Sequence, residues 1–200
     1  MVQGDIGLQP ERNSTAKLGL AWQHRGLQAD LSAFYSDGRN MIDWVFATDS
    51  AKRYQAMNIG RLRNMGITAL FSIDFNALLG HDFVVRRIAL GYAHINQTHS
   101  TDRPIYRSLY ALEYLRHKLT LQLDHRIWRD IAASWQVRWQ QRMNGYPPYW
   151  KVDAKIAYNR KHYSLYVQAD NLTNTQYYDL GGVQQPGIWV MAGCAVHLGW

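Results

Sequence analysis

The sequence predicts an all-β fold, an antiparallel meander of about nine long strands belonging to a transmembrane β-barrel. Three observations predict it. Apolar and polar residues alternate strictly over segments of ten residues or more, the strand period rather than the helix period. The connections alternate between short and long along the chain. Trp and Tyr are abundant, eight and thirteen of 200 residues, and recur near the ends of the alternating segments, where rings with one apolar and one polar end suit a membrane–water interface.

Each element follows from its alternation. Ala16, Leu18, Leu20 and Trp22 mark a strand over 14–23. After His24-Arg25-Gly26, the series Leu27, Ala29, Leu31, Ala33 and Tyr35 begins a strand over 27–45, with an irregularity near Asp37-Gly38. Met65, Ile67, Ala69, Phe71 and Ile73 form one face of a strand over 54–76. Ile88, Leu90 and Tyr92 belong to 82–97, where Arg86 interrupts the pattern. Residues 107–126 carry Leu115, Leu119, Leu121 and Leu123 opposite Arg116, Lys118, Thr120 and Gln122. Part of that segment, 110–125, also fits helical spacing; the alternation at 119, 121 and 123 and the neighbouring strands favour β. Ala133, Trp135, Val137 and Trp139 define 131–143; Val152, Ala154, Ile156 and Tyr158 define 150–160; Leu165, Val167 and Ala169 define 162–171. The last strand, 187–200, is apolar at every even position from Ile188 to Trp200.

Lengths of ten or more suit a tilted strand crossing a bilayer, which needs ~9–11 residues. The connections 24–26, 46–53, 77–81, 98–106, 127–130, 144–149, 161 and 172–186 place short turns at one end and longer loops at the other. In outer-membrane barrels the turns are periplasmic and the loops extracellular. The polar partners of each apolar face then line a watery lumen.

Composition narrows the function classes. Lys and Arg exceed Asp and Glu by 22 − 15 = 7, but the cations are scattered, which favours solvated or lumen-facing charge over a nucleic-acid surface. One cysteine, Cys194, excludes an internal disulfide framework and reads as filler on the apolar face. No apolar run reaches the ~18–20 residues of a membrane helix, and MVQGDIGLQPERNS shows no signal-peptide pattern. The eight histidines have no zinc-site spacing: His94 and His99 are five apart, and His117 and His125 too distant along one strand. Asp37, Asp43 and Asp49, or Asp170 and Asp179, lack a dense calcium-loop pattern. No nucleophile elbow or phosphate loop occurs. No catalytic residue, metal site or cofactor is expected.

Several stretches resemble the C-terminal part of a TonB-dependent outer-membrane receptor. Asp170-Asn171-Leu172-Thr173-Asn174-Thr175-Gln176-Tyr177-Tyr178 is similar to the family's penultimate-strand ending, and Pro186-Gly187 precedes a last strand ending on an aromatic residue. The family often carries Arg after that Pro-Gly and Phe at the end; here they are Ile188 and Trp200. Leu8-Gln9-Pro10-Glu11-Arg12 and Asn58-Ile59-Gly60, followed by Gly66, resemble two further strand approaches. The resemblance implies a twenty-two-stranded barrel with an N-terminal plug, importing a siderophore, haem, cobalamin or similar scarce ligand under the drive of the TonB complex. On this reading residues 1–200 are a partial barrel without the plug, and Met1 before the Leu-x-Pro-Glu stretch reads as an internal start or a truncated product. Such a portion is transport-incompetent alone. Its partners are TonB through the missing plug, the barrel assembly machinery, lipopolysaccharide and a small-molecule ligand, with no nucleic acid.

The expected site residues are of two kinds. Trp44, Phe46, Tyr146, Tyr149 and Tyr178 lie on the loop side, as ligand contacts or as interfacial packing; Lys52, Arg53 and Arg103 are nearby cations for lipopolysaccharide phosphates or an anionic siderophore. Val196, Leu198 and Trp200 form a C-terminal signal for barrel assembly. Two rival readings are a small complete outer-membrane barrel acting as enzyme or adhesin, in which strands 14–23 and 187–200 pair, and a soluble β-rich binding module, in which the apolar face points inward.

Overall fold

The computed structural model describes residues 2–3, 5–48, 50, 53–101, 105–108, 114–143, 145–179 and 183–196. The elements are β1 (Val2–Gln3), β2 (Arg12–His24), β3 (Leu27–Arg39), β4 (Ile42–Phe46), β5 (Tyr54–Asn58), β6 (Arg61–Asp74), α1 (Phe75–Leu79), β7 (Val85–Ser100), β8 (Arg107–Ser108), β9 (Leu115–Trp128), β10 (Ile131–Arg142), β11 (Tyr149–Asn159), β12 (Tyr163–Asp170) and β13 (Trp189–Val196). Nine of them form one sheet in the order β13-β12-β11-β10-β9-β7-β6-β3-β2, with every neighbouring pair antiparallel. The other four strands make a small sheet, β1-β5-β4-β8. The first and last strands of the large sheet, β2 and β13, lie at opposite edges and do not pair with each other. The closed small barrel requires that pairing, and among the described residues it is not made.

Register turns the alternation into two chemically different faces. Trp22, Ala29, Phe71, Leu90, Leu121 and Val137 stand side by side across six strands. One residue further along, Gln23, Gln28, Ser72, Ala89, Gln122, Gln136 and Asp153 form the neighbouring row on the other face, polar at all but Ala89. The apolar face is not covered by protein: Leu18 is 75% exposed, Leu20 72% and Val190 63%. The chain exposes 13449 Å², against ~9,700 Å² for a compact protein of its mass. Most of its buried apolar residues gather at the loop end, with Val45 and Ala56 in the small sheet and Ile59 and Leu62 beside it; in the rest of the large sheet the only buried apolar side chains among the described residues are the small Ala89 and Ala133. The large sheet therefore has no core of its own in water, and a patch this broad requires an apolar surrounding. From Met65 to Ile73 the apolar face of β6 covers ~27 Å along the strand, or ~20 Å at a tilt of ~40°, close to the apolar band of a barrel.

The structure refines five sequence expectations. The strand expected over 27–45 ends at Arg39, because Asn40 turns left-handed at φ 56° and sends β4 into the small sheet. The strand expected over 54–76 breaks before Arg61. Gly60 has φ 87°, and a Cβ there would lie 2.3 Å from the Ser100 carbonyl oxygen, so the alternation continues in sequence across a backbone that changes sheets. The loop expected at 77–81 is in part the short helix α1, which begins at Phe75 inside the expected strand: Asp74 caps it by accepting from the Ala77 amide at 3.0 Å, and Gly80 closes it left-handed. Arg86, which broke the alternation, is the extra residue of a β-bulge between Val85 and Arg87. Of the strand expected over 107–126, the part from Leu115 is β9, a strand rather than a helix that runs on to Trp128, whereas Arg107 and Ser108 pair with β4 in the small sheet and 109–113 lie outside the described residues.

Candidate functional site at the loop-side rim

The three sequence stretches carrying the resemblance build this rim. Gln9 and Asn58 bond like a pair of strand residues: the Gln9 amide donates to Asn58 Oδ1 at 2.8 Å, and Asn58 Nδ2 donates to the Gln9 carbonyl at 2.9 Å. Asn58 Nδ2 also reaches the Asn40 carbonyl at 2.7 Å, and Glu11 accepts from the Ile42 amide at 2.6 Å. The Leu8–Glu11 stretch and the Asn58–Gly60 stretch, some fifty residues apart in sequence, thus clasp each other where β3 and β6 leave the large sheet.

Asn171 does the same job at the other end of the rim. It is left-handed (φ 57°) and 1% exposed. Its Nδ2 donates to the carbonyls of Thr175 (3.0 Å) and Pro186 (3.2 Å); its Oδ1 accepts from the Thr175 amide (3.0 Å) and Thr173 Oγ1 (3.2 Å). One side chain therefore ties both ends of the loop between β12 and β13. Its own amide donates to Asp153 Oδ1 at 2.7 Å.

That carboxylate joins the rim to the polar face. Asp153 lies 3.3 Å from Lys151 Nζ and 3.5 Å from Arg138 Nη2. Arg138, Lys151, Asp153, Lys155, Gln168 and Asp170 line an open polar cleft of about 450 Å³. Above it, two pairs of tyrosines stack: Tyr149 with Tyr177 at 4.5 Å between ring centres, and Tyr146 with Tyr178 at 4.1 Å, only 10° from parallel. The first pair is buried, at 8% and 9% exposure; the second is half-buried. Arg142 and Asp179 pair at 2.6 Å beside them. Cations, amides and an open aromatic stack can hold a small anionic or aromatic ligand; no nucleophile–base pair accompanies them among the described residues.

Of the expected ligand contacts, the structure brings Tyr146, Tyr149 and Tyr178 together. Trp44 is elsewhere, on β4 opposite Ala56, and Phe46 stacks on Tyr54 at 4.0 Å. Arg53 is exposed at the start of the segment leading into β5; Lys52 and Arg103 lie outside the described residues. Val196 ends β13 opposite Tyr163; Leu198 and Trp200 also lie outside the described residues. The calcium candidates are engaged separately, Asp37 with Arg61, Asp43 with Ser108, Asp170 with Gln168 and Asp179 with Arg142; Asp49 is outside the described residues. Sequence spacing missed one contact: His94 and His117 meet across β7 and β9, Nδ1 to Nδ1 at 3.2 Å, beside the Tyr92 hydroxyl. It also missed Arg138, Lys151 and Asp153 as a cluster; their only sequence signal was membership of the polar face.

A long antiparallel sheet, apolar outside, polar inside and open at both edges, is a section of a transmembrane barrel wall. A family model described as TonB dependent receptor-like, beta-barrel matches residues 1–172, and the chain belongs to that family of outer-membrane receptors and transporters. Among solved structures it is similar to the FrpB iron transporter of Neisseria meningitidis (14% identity, TM-score 0.71, covering 97% of this chain and 31% of that one). It is also similar to the copper transporter OprC (17% identity, TM-score 0.71, 96% and 33%). A third is the G324V mutant of the ferric enterobactin receptor PfeA of Pseudomonas aeruginosa (18% identity, TM-score 0.64, 96% and 32%). The chain spans about a third of the length of these structures. No curated protein sequence matches it.

Proposed function

We propose that the chain forms the C-terminal strands of a TonB-dependent outer-membrane barrel that imports a scarce ligand, a siderophore, haem, cobalamin or similar chelate, and that it does not transport alone. The observation that carries this is a sheet with an apolar outer face and a polar inner face whose edges β2 and β13 are unpaired among the described residues. About half of the 13 residues of β2 point their backbone N–H and C=O out of the edge. In hydrocarbon each such group costs several kcal/mol. The sum reaches tens of kcal/mol, beyond the ~5–15 kcal/mol that holds a domain folded. Both edges therefore take partner strands from further polypeptide, and TonB acts through a plug outside these strands. The barrel sits in the bacterial outer membrane among lipopolysaccharide. The barrel assembly machinery reads the last strand through Val196, Leu198 and Trp200. Tyr146 and Tyr178, above the Arg138–Asp153 cluster, face the incoming ligand; Tyr149 supports them from below, and Trp44 acts on the adjoining loop sheet. The chain carries no catalysis.

The test is uptake. Secreted alone into a Gram-negative host, the chain gives no TonB-dependent uptake of a ferric siderophore. Joined to the plug and upstream strands of a family member, it gives a heat-modifiable barrel whose uptake stops in a host lacking TonB. Uptake by the chain alone, or a chain that stays monodisperse in water without detergent, would overturn the proposal.

A further inference from the structure

Four arginines crowd one patch of the outward face. On β2, β3 and β6 the outward positions read, from the apolar belt toward the loops, Ala16 then Ser14 then Arg12; Tyr35 then Asp37 then Arg39; Met65 then Arg63 then Arg61. The patch therefore begins one outward position, ~7 Å, beyond the last apolar row. Arg61 grips Asp37 through Nε at 2.6 Å and Nη2 at 2.5 Å, and Arg63 Nε lies 3.8 Å from the same carboxylate. Arg12 and Arg39 are direct cross-strand partners, both exposed, and neither makes an ion pair among the described residues. The Glu11 carboxylate beside them accepts from the Ile42 amide instead. Four guanidiniums thus face one aspartate. On the next strand, β7, the same level carries the neutral Thr98 and Ser100.

Like charges directly opposite each other destabilise a sheet. A site that keeps them, where hydrocarbon gives way to headgroups, is complementary to an anion at that depth. The guanidinium fork matches phosphate oxygens two at a time. We infer that Arg12, Arg39, Arg61 and Arg63 form a binding site for the phosphate of an outer-leaflet lipid, holding it against Tyr35 and Met65. The site rests on the proposal that this face meets lipid.

Flotation with vesicles of the full chain, joined to the plug and upstream strands of a family member, tests both levels. The wild type floats with phosphatidylcholine alone, through its apolar belt, and gains affinity when diphosphoryl lipid A is added. The R12Q/R39Q variant keeps the first property and loses the gain roughly thirtyfold, about fivefold per arginine at an anionic surface. Lys17 lies on β2 with the opposite parity, opposite Phe34, so K17Q removes a charge from the other face and leaves the gain intact. No flotation with phosphatidylcholine alone would overturn the lipid-facing reading itself. Flotation without a lipid A gain, an undiminished gain in R12Q/R39Q, an equal loss in K17Q, or displacement by inorganic phosphate would overturn the site.

Discussion

Asn171→Ala is expected to destabilise the chain by about 3–5 kcal/mol and to open the loop between β12 and β13 to protease. The side chain is fully buried and makes four hydrogen bonds to Thr173, Thr175 and Pro186. Truncation leaves the Thr175 amide and two carbonyls without their partner, each at about 1 kcal/mol, because Pro186 is exposed and Thr175 half-buried and water partly replaces the lost bonds. Alanine adds about 1–2 kcal/mol for the left-handed backbone. Asn171→Gly removes that last part and keeps the rest, so it recovers only a fraction of the loss. Asn174, also left-handed but exposed, tolerates alanine with a loss of about 1 kcal/mol. The midpoint of guanidinium unfolding in detergent, with the chain joined to the plug and upstream strands of a family member and with trypsin cleavage alongside, measures all three. A wild-type midpoint for Asn171→Ala would contradict the role given to this residue. The consequence reaches the candidate site, because the same loop holds Tyr177 and Tyr178 against Tyr149 and Tyr146.

The second large effect separates adjacent residues on one strand. Leu31→Arg puts a charge in the apolar belt between Leu20 and Ala69, and an arginine at that depth costs about 2–4 kcal/mol. Ser32→Arg places the same group on the polar face, where it loses only the 2.6 Å contact with Thr68, about 0.5–1.5 kcal/mol. With the chain joined to the plug and upstream strands of a family member, the folded fraction in lipid vesicles, read by heat-modifiable migration, is expected to fall steeply for the first variant and slightly for the second. The reverse order would mean that the apolar face is the inside of a soluble module.

What the sequence made legible follows from what alternation encodes. Period-2 patterning located all nine strands of the large sheet, because a barrel wall imposes it at every strand without interruption. Patterning does not respond to a change of sheet, so the breaks at Asn40 and Gly60 passed unseen: Tyr35, Asp37 and Arg39 keep their parity up to the residue where the backbone turns. The capped helix was present in sequence as Asp74 and Gly80, but five residues between two strong strands read as a turn. The rim was half legible. Tyr146, Tyr149 and Tyr178 stood out as loop-side aromatics, yet their pairing depends on the loop that Asn171 folds back. Cross-strand neighbours such as His94 and His117, or Arg12 and Arg39, exist only once register is known, and no spacing along the chain encodes it.

In the proposed function these strands are a section of a larger wall, with β2 and β13 each awaiting a partner. The most direct measurement places one cysteine at Leu20 and one at Ala192 in a Cys194→Ser background, refolds the chain in detergent and tests for an intramolecular disulfide. None is expected, whereas cysteines at Leu20 and Leu31, direct partners in the β2–β3 pair, cross-link readily as the positive control. Efficient cross-linking between β2 and β13 would contradict the proposed function and make the chain a small closed barrel.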